Sequence, residues 1–107
     1  MHRDIKSHNF LVDEYYTTKL CDFGLARFKT HLNQGPMQFS GTPVYMAQEL
    51  FQKKSYDQTV DIFALGTLLF EIYAGEIPYN GLDPATIKDK LLKDSSLSNL
   101  HIDKPVL

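Results

Sequence analysis

Apolar positions change their rhythm several times along the chain. Residues 1–9 are polar and read as a loop. The runs "NFLV" (9–12) and "TKLC" (18–21) are short and strand-like. They flank the polar stretch Asp13-Glu14-Tyr15-Tyr16, so a small β-hairpin is expected. From Asp22 to Gly41 no period persists, and Gly24, Gly35-Pro36 and Gly41 punctuate a long irregular segment. Loops of that length inside compact domains usually carry function. The run "YDQTVDIFALGTLLFEIYAG" (56–75) is apolar on nearly every helical face, which predicts a helix buried within the protein. Gly75 and then Pro78 supply its stop. "DPATIKDKLLKD" (83–94) opens with Asp83 as N-cap and Pro84 at the first helical position. Ile87, Leu91 and Leu92 form its apolar stripe. The closing "SSLSNLHIDKPVL" contains no clear element.

Composition narrows the class without naming a function. The 107 residues make one domain at most, or part of one, with a modest core. Hydrophobic residues are 43% and charged residues 22%, which argues against disorder. Eleven basic and thirteen acidic residues leave a net charge of -2. No basic patch points to nucleic acid. Cys21 is alone, so no internal disulfide can form and a reducing compartment is expected. The apolar run Ile62 to Phe70 is too short to span a bilayer, and the N-terminus has no apolar signal stretch. A soluble cytoplasmic protein with no membrane segment is the expectation.

The polar loop at the start holds the candidate chemistry. "HRDIKSHN" (2–9) places an aspartate, a lysine and an asparagine within six residues. Asp4 can orient a hydroxyl nucleophile or accept its proton, and Lys6 can neutralise charge developing on a phosphoryl oxygen. The amide oxygen of Asn9 is a hard ligand suited to Mg²⁺, and Asp22 is a second. The expected hairpin would bring Asn9 and Asp22 together, because they flank its strands. Gly24 leaves the backbone after Asp22 free to turn. Metal-assisted phosphoryl transfer needs such a set, since its catalysis is mostly positioning and electrostatics.

These residues carry a family resemblance. "HRDIKSHN" resembles the catalytic loop of eukaryotic protein kinases, and Asp22-Phe23-Gly24 their metal-binding DFG. Five specified residues at this spacing arise by chance about once in three million start positions. "GTPVYMAQE" (41–49) then resembles the substrate-positioning loop with its APE-type ending, and "DIFALG" (61–66) the signature of the central helix. The resemblance covers residues 1–107 as a partial kinase domain. It implies an α+β family fold that is mainly α here: a large-lobe portion with a short hairpin, a long activation segment, a buried central helix and a following amphipathic helix.

The resemblance also implies roles. Asp4 would be the catalytic base, with Lys6 near the transferred phosphate of ATP and Thr42 hydrogen-bonded to both. Asn9 and Asp22 would hold Mg²⁺ on the nucleotide. Arg3 would face a phosphorylated activation loop. His2 and Phe23 would stack in a column that reports the active state. Asp61 would accept backbone N–H groups of the catalytic loop, which would explain a carboxylate in an apolar helix. Thr30 and Ser40 are candidate phosphorylation sites, Thr42 less so because its hydroxyl already has a role. Lys6 and Thr42 point to serine/threonine specificity, and the loop resembles most the tyrosine-kinase-like group of those enzymes.

Plainer readings compete at several positions. Asp4, Lys6, Asn9 and Asp22 could be solvated loop and turn residues, which their spacing disfavours. Cys21 reads as a small buried hydrophobe. His8, His31 and His101 have no metal-ligand spacing, and Lys88, Lys90 and Lys93 read as a solvated helix face. Glu71 could read a basic residue on a substrate or be an ordinary helix glutamate. The apolar residues of 60–74 read as core alone. Against the family pattern, Gln48 stands where proline is usual, and Phe63 replaces tryptophan. Glu49 is kept, although the arginine it would pair with falls outside these residues.

No Gly-rich nucleotide loop, strand lysine or hinge occurs in the sequence, and the closing helices of the large lobe are expected to be missing. Two functions follow. One is a serine/threonine kinase portion whose parent phosphorylates proteins with ATP and Mg²⁺, the 107-residue chain alone being inactive. The other is a non-catalytic, kinase-like module or pseudokinase acting by protein binding. Part of the central helix's apolar surface is expected to lie uncovered.

Overall fold

The computed structural model describes residues 1–26, 43–52 and 55–93. Thr30, Ser40 and Thr42, together with His31 and His101, lie outside the described residues. The polar start forms a loop that ends in a 3-10 turn, Ser7–Asn9. Strand β1 (Phe10–Val12) follows and pairs antiparallel with β2 (Thr18–Leu20), Leu11 facing Lys19. Asp13 closes the connection, its Oδ1 accepting the N–H groups of Tyr15 and Thr17 at 2.8 Å each. Tyr16 there takes a left-handed φ of 62°. The hairpin expected at 9–12 and 18–21 is present, one residue shorter in each strand.

A second 3-10 turn, Pro43–Tyr45, leads into the short helix α1 (Gln48–Phe51). Neither was anticipated, since so few residues show no period. Helix α2 (Thr59–Ala74) follows. Its start is capped by Asp57, whose Oδ1 accepts the Thr59 N–H at 2.9 Å. It ends at Gly75, which sits at φ 77° and donates its N–H to the Glu71 carbonyl at 2.8 Å. Helix α3 (Pro84–Lys93) begins after Asp83, whose carboxylate accepts the Thr86 N–H at 3.4 Å and its hydroxyl. The Thr86 hydroxyl bond, foremost, holds the Asp83 carboxyl below its ordinary range.

The 43–47 segment is the hub of the packing. Val44, Tyr45 and Met46 join Phe51 of α1, Ala64 and Leu68 of α2, and Ile87 and Leu91 of α3 in one core. Ile5 and Phe10 reach it from the loop and hairpin. The buried Thr67 hydroxyl donates to the Val44 carbonyl at 3.2 Å, a polar pin between α2 and the hub.

Helix α2 corrects one expectation. Val60, Ala64, Thr67, Leu68 and Ala74 form its buried stripe. Ile62, Leu65, Leu69, Ile72 and Tyr73 are exposed, Ile72 by 71% and Ile62 by 66%. The apolar residues of 60–74 are therefore not all core, because no described element packs against the second stripe. Uncovered apolar surface on this helix was itself expected.

Candidate active site

Asp61, in the first turn of α2, organises the site. Its Oδ2 accepts the His2 N–H at 2.7 Å, and its Oδ1 accepts the Arg3 N–H at 2.9 Å. A carboxylate in a largely apolar helix is thus satisfied by two successive backbone donors. These bonds offset the strained φ of 69° at Arg3, a left-handed conformation that is costly for a long side chain. Arg3 is buried, with Nε donating to the Leu25 carbonyl at 2.6 Å and Nη1 to the Tyr56 hydroxyl at 2.9 Å. Tyr56 has no place in the motif reading, and only the folded chain reveals it as a guanidinium partner.

His2 links the loop to the hairpin's far end. Its Nδ1 accepts the Asp4 N–H at 3.1 Å, so the ring proton sits on Nε2, which donates to the Cys21 carbonyl at 3.0 Å. The His2 and Phe23 rings meet edge to face with centroids 4.8 Å apart. Phe23 remains 61% exposed despite this contact.

Asp4, Lys6 and Asn9 come together. Lys6 Nζ lies 3.7 Å from Asp4 Oδ1. Asn9 is buried and donates from Nδ2 to the Asp4 carbonyl at 2.7 Å and to Asp4 Oδ2 at 3.1 Å. That orientation leaves Asn9 Oδ1 without a hydrogen-bond partner among the described residues. The Asn9 carbonyl accepts the Cys21 N–H at 2.8 Å, which places Asn9 and Asp22 at the same end of the hairpin. Cys21 is half-buried rather than core, and its thiol donates to that carbonyl at 3.2 Å. Asp22 is exposed at φ 61° and accepts the Gly24 N–H at 3.3 Å. A β-carbon on Gly24 would stand 3.3 Å from Asp22 Oδ1, so glycine lets the turn fold tightly onto that carboxylate.

The donor set suits Mg²⁺. An amide oxygen and a carboxylate are hard oxygen donors, which Mg²⁺ prefers, with phosphate and water able to supply the remaining ligands. No group of three or more His, Cys, Asp or Glu that could hold a metal occurs among the described residues.

Glu49 sits in the first turn of α1. Gln48, in the usual place of proline, donates from Nε2 to the Leu92 carbonyl at 2.8 Å. It satisfies a carbonyl in the last turn of α3, which proline could not do. Glu71 is no ordinary helix glutamate, since Ser7 donates to its Oε1 at 3.0 Å and Tyr45 to its Oε2. Burial, and then the bond to Glu71, push the Tyr45 phenol above its ordinary range. Lys88, Lys90 and Lys93 are exposed as expected, Lys88 lying 6.0 Å from the Phe51 ring centre.

Comparison with known sequences agrees with this geometry. The family described as "Protein kinase domain" matches residues 1–105. The chain belongs to the protein kinase family. Among similar proteins, a probable serine/threonine-protein kinase of Dictyostelium discoideum is 43% identical over 83 residues, 78% of this chain and 9% of that protein. The serine/threonine-protein kinase TIO of Arabidopsis thaliana is 43% identical over 79 residues, 74% of this chain and 6% of its own length. The serine/threonine-protein kinase CTR1 of the same plant is 38% identical over 87 residues, 81% of this chain and 11% of that kinase. The chain therefore spans about a tenth or less of each of these relatives. The hairpin and helices of the structure fit the α+β kinase fold. No helix among the described residues is long and apolar enough to cross a membrane.

Proposed function

We propose that these residues form the large-lobe half of a serine/threonine kinase site that transfers the γ-phosphoryl group of ATP to protein hydroxyls. The observation that carries this reading is the Asp4–Lys6–Asn9 cluster, fastened to α2 through Asp61 and joined by the hairpin to Asp22. Asp4 accepts from and orients the substrate hydroxyl, while Lys6 offsets charge on the transferred phosphoryl oxygens. Asn9 Oδ1 and Asp22 would hold Mg²⁺, which supplies charge neutralisation on the phosphates when bound. His2, Arg3, Phe23, Gly24, Glu49 and Asp61 hold or regulate this arrangement. Thr42 completes the hydroxyl-positioning set in the proposal, with Thr30 and Ser40 as candidate regulatory phosphosites. A cytoplasmic location and a place in the tyrosine-kinase-like group belong to the same proposal.

The test exchanges residues 1–93, in register, into the kinase domain of a relative. Phosphate transfer to serine or threonine should persist in the exchange and be lost with Asp4→Asn or Asp22→Ala. An exchange that keeps full activity with both substitutions would rule the reading out.

A second reading, a non-catalytic module that binds proteins, draws on the exposed stripe of α2. It predicts that the exchanged domain is inactive with its native residues.

A further inference from the structure

We propose that Ser7 is a positioning residue: through Glu71 its hydroxyl fastens the Asp4–Asn9 loop to Tyr45, keeping that loop in register with the 43–47 segment. The proposal rests on the phosphotransfer reading, because it assigns Ser7 to the machinery that presents the acceptor hydroxyl.

Two side chains from separate parts of the fold meet at the carboxylate of a third, Glu71. Ser7 opens the 3-10 turn that ends in Asn9 and directly follows Lys6. Glu71 lies on α2, and Tyr45 ends the 43–45 turn of the hub. Ser7 Oγ is 3.0 Å from Glu71 Oε1, and the Tyr45 hydroxyl bonds Glu71 Oε2. The two hydroxyls themselves stand 3.4 Å apart. Each hydroxyl has one proton, and the carboxylate takes both, so that last contact carries no proton of its own. Both oxygens of Glu71 are thereby committed to internal donors. Tyr45 is only 8% exposed, while Ser7 and Glu71 are half-buried, so the network sits at the edge of the core.

The loop is already held at its start, where Asp61 takes the N–H groups of His2 and Arg3. Ser7 supplies the second fastening, 64 residues from its partner in sequence. Lys6 lies between the two fastenings, and Asn9 two residues beyond the second. Asn9 is tied to Asp4 and to Cys21 already, so loss of the Ser7 bond would free the loop's register against α2 and the 43–47 segment, which positional catalysis tolerates poorly.

The network has a signature that reports the clamp itself. Glu71 disfavours ionisation of Tyr45, whereas the Ser7 hydroxyl can turn to donate to the phenolate and so favours it. The full chain, labelled at the tyrosine ring carbon that bears oxygen, is titrated by NMR. Tyr45 is assigned among the six tyrosines by Tyr45→Phe. Tyr45 should titrate above the others. Ser7→Ala should move it higher, Glu71→Gln should move it lower, and Ser7→Thr should restore it. Six tyrosines titrating together, or a Tyr45 unmoved by Ser7→Ala, overturns the proposal.

In the exchanged kinase domain, Ser7→Ala should lower kcat roughly 3- to 10-fold with KM for ATP unchanged, and Ser7→Thr should recover it. An unchanged kcat would refute the positioning role. An exchange that is inactive with its native residues counts against phosphotransfer, while the titration still judges the clamp.

Discussion

At the residue scale, one carboxylate decides whether the loop keeps its shape. Asp61 satisfies two backbone N–H groups beside a strained Arg3, so its removal strands both donors together. Asp61→Ala should cost about 2–4 kcal/mol, less than the about 3–6 kcal/mol of two full hydrogen bonds to a charged group, because Asp61 is half-buried and water replaces part of them. Urea denaturation measures it, and a loss below about 1 kcal/mol would mean that water replaces the carboxylate. This role was legible in the sequence only through resemblance, because periodicity marks Asp61 as an anomaly without naming its partners. Ser7, Tyr45 and Tyr56 were not legible as partners. Their contacts join residues 26 to 64 apart, and no local pattern encodes such a meeting.

Among the elements, chain chemistry sets the boundaries. Asp83, Pro84, Gly75 and the polar turn from Asp13 to Tyr16 were readable because capping and turn formation are local events. The turn Pro43–Tyr45 and helix α1 were not, being held by packing against α2 and α3 rather than by propensity. Gly75 at φ 77° gives one prediction: Gly75→Ala should destabilise the chain by about 1 kcal/mol, read as a shift of the urea midpoint. Asp83 gives another, with a sign fixed by its lowered pKa. Its stabilisation of α3 is fully present above the ordinary aspartate range and fades as pH falls below that range, through the lowered folded value. Circular dichroism should therefore show helix lost on acidification, and Asp83→Asn, which keeps a capping oxygen, should remove that dependence. An unaltered acid transition in Asp83→Asn would assign it to other carboxylates.

Across the whole molecule, the two faces of α2 divide stability from exposure. Leu68 is buried at 6% exposure while its neighbour Leu69 is 59% exposed. Leu68→Ala should cost about 2–5 kcal/mol by opening a cavity in the hub, whereas Leu69→Ala should stay within about 0.5 kcal/mol. Equal losses would mean that the outer stripe is covered after all. Periodicity could not foretell this division, since a helix apolar all round says nothing about which side its own chain covers. The same helix carries the geometry of the candidate site, because α2 contributes both Asp61 and Glu71.

The most direct test is phosphate transfer by the exchanged kinase domain in Mg²⁺ and labelled ATP, with phosphoamino-acid analysis of a protein substrate. Label on serine or threonine, abolished by Asp4→Asn and by Asp22→Ala, is the predicted result, and the 107-residue chain alone should transfer none. Undiminished transfer after either substitution, or robust transfer by the chain alone that Asp22→Ala removes, would contradict it.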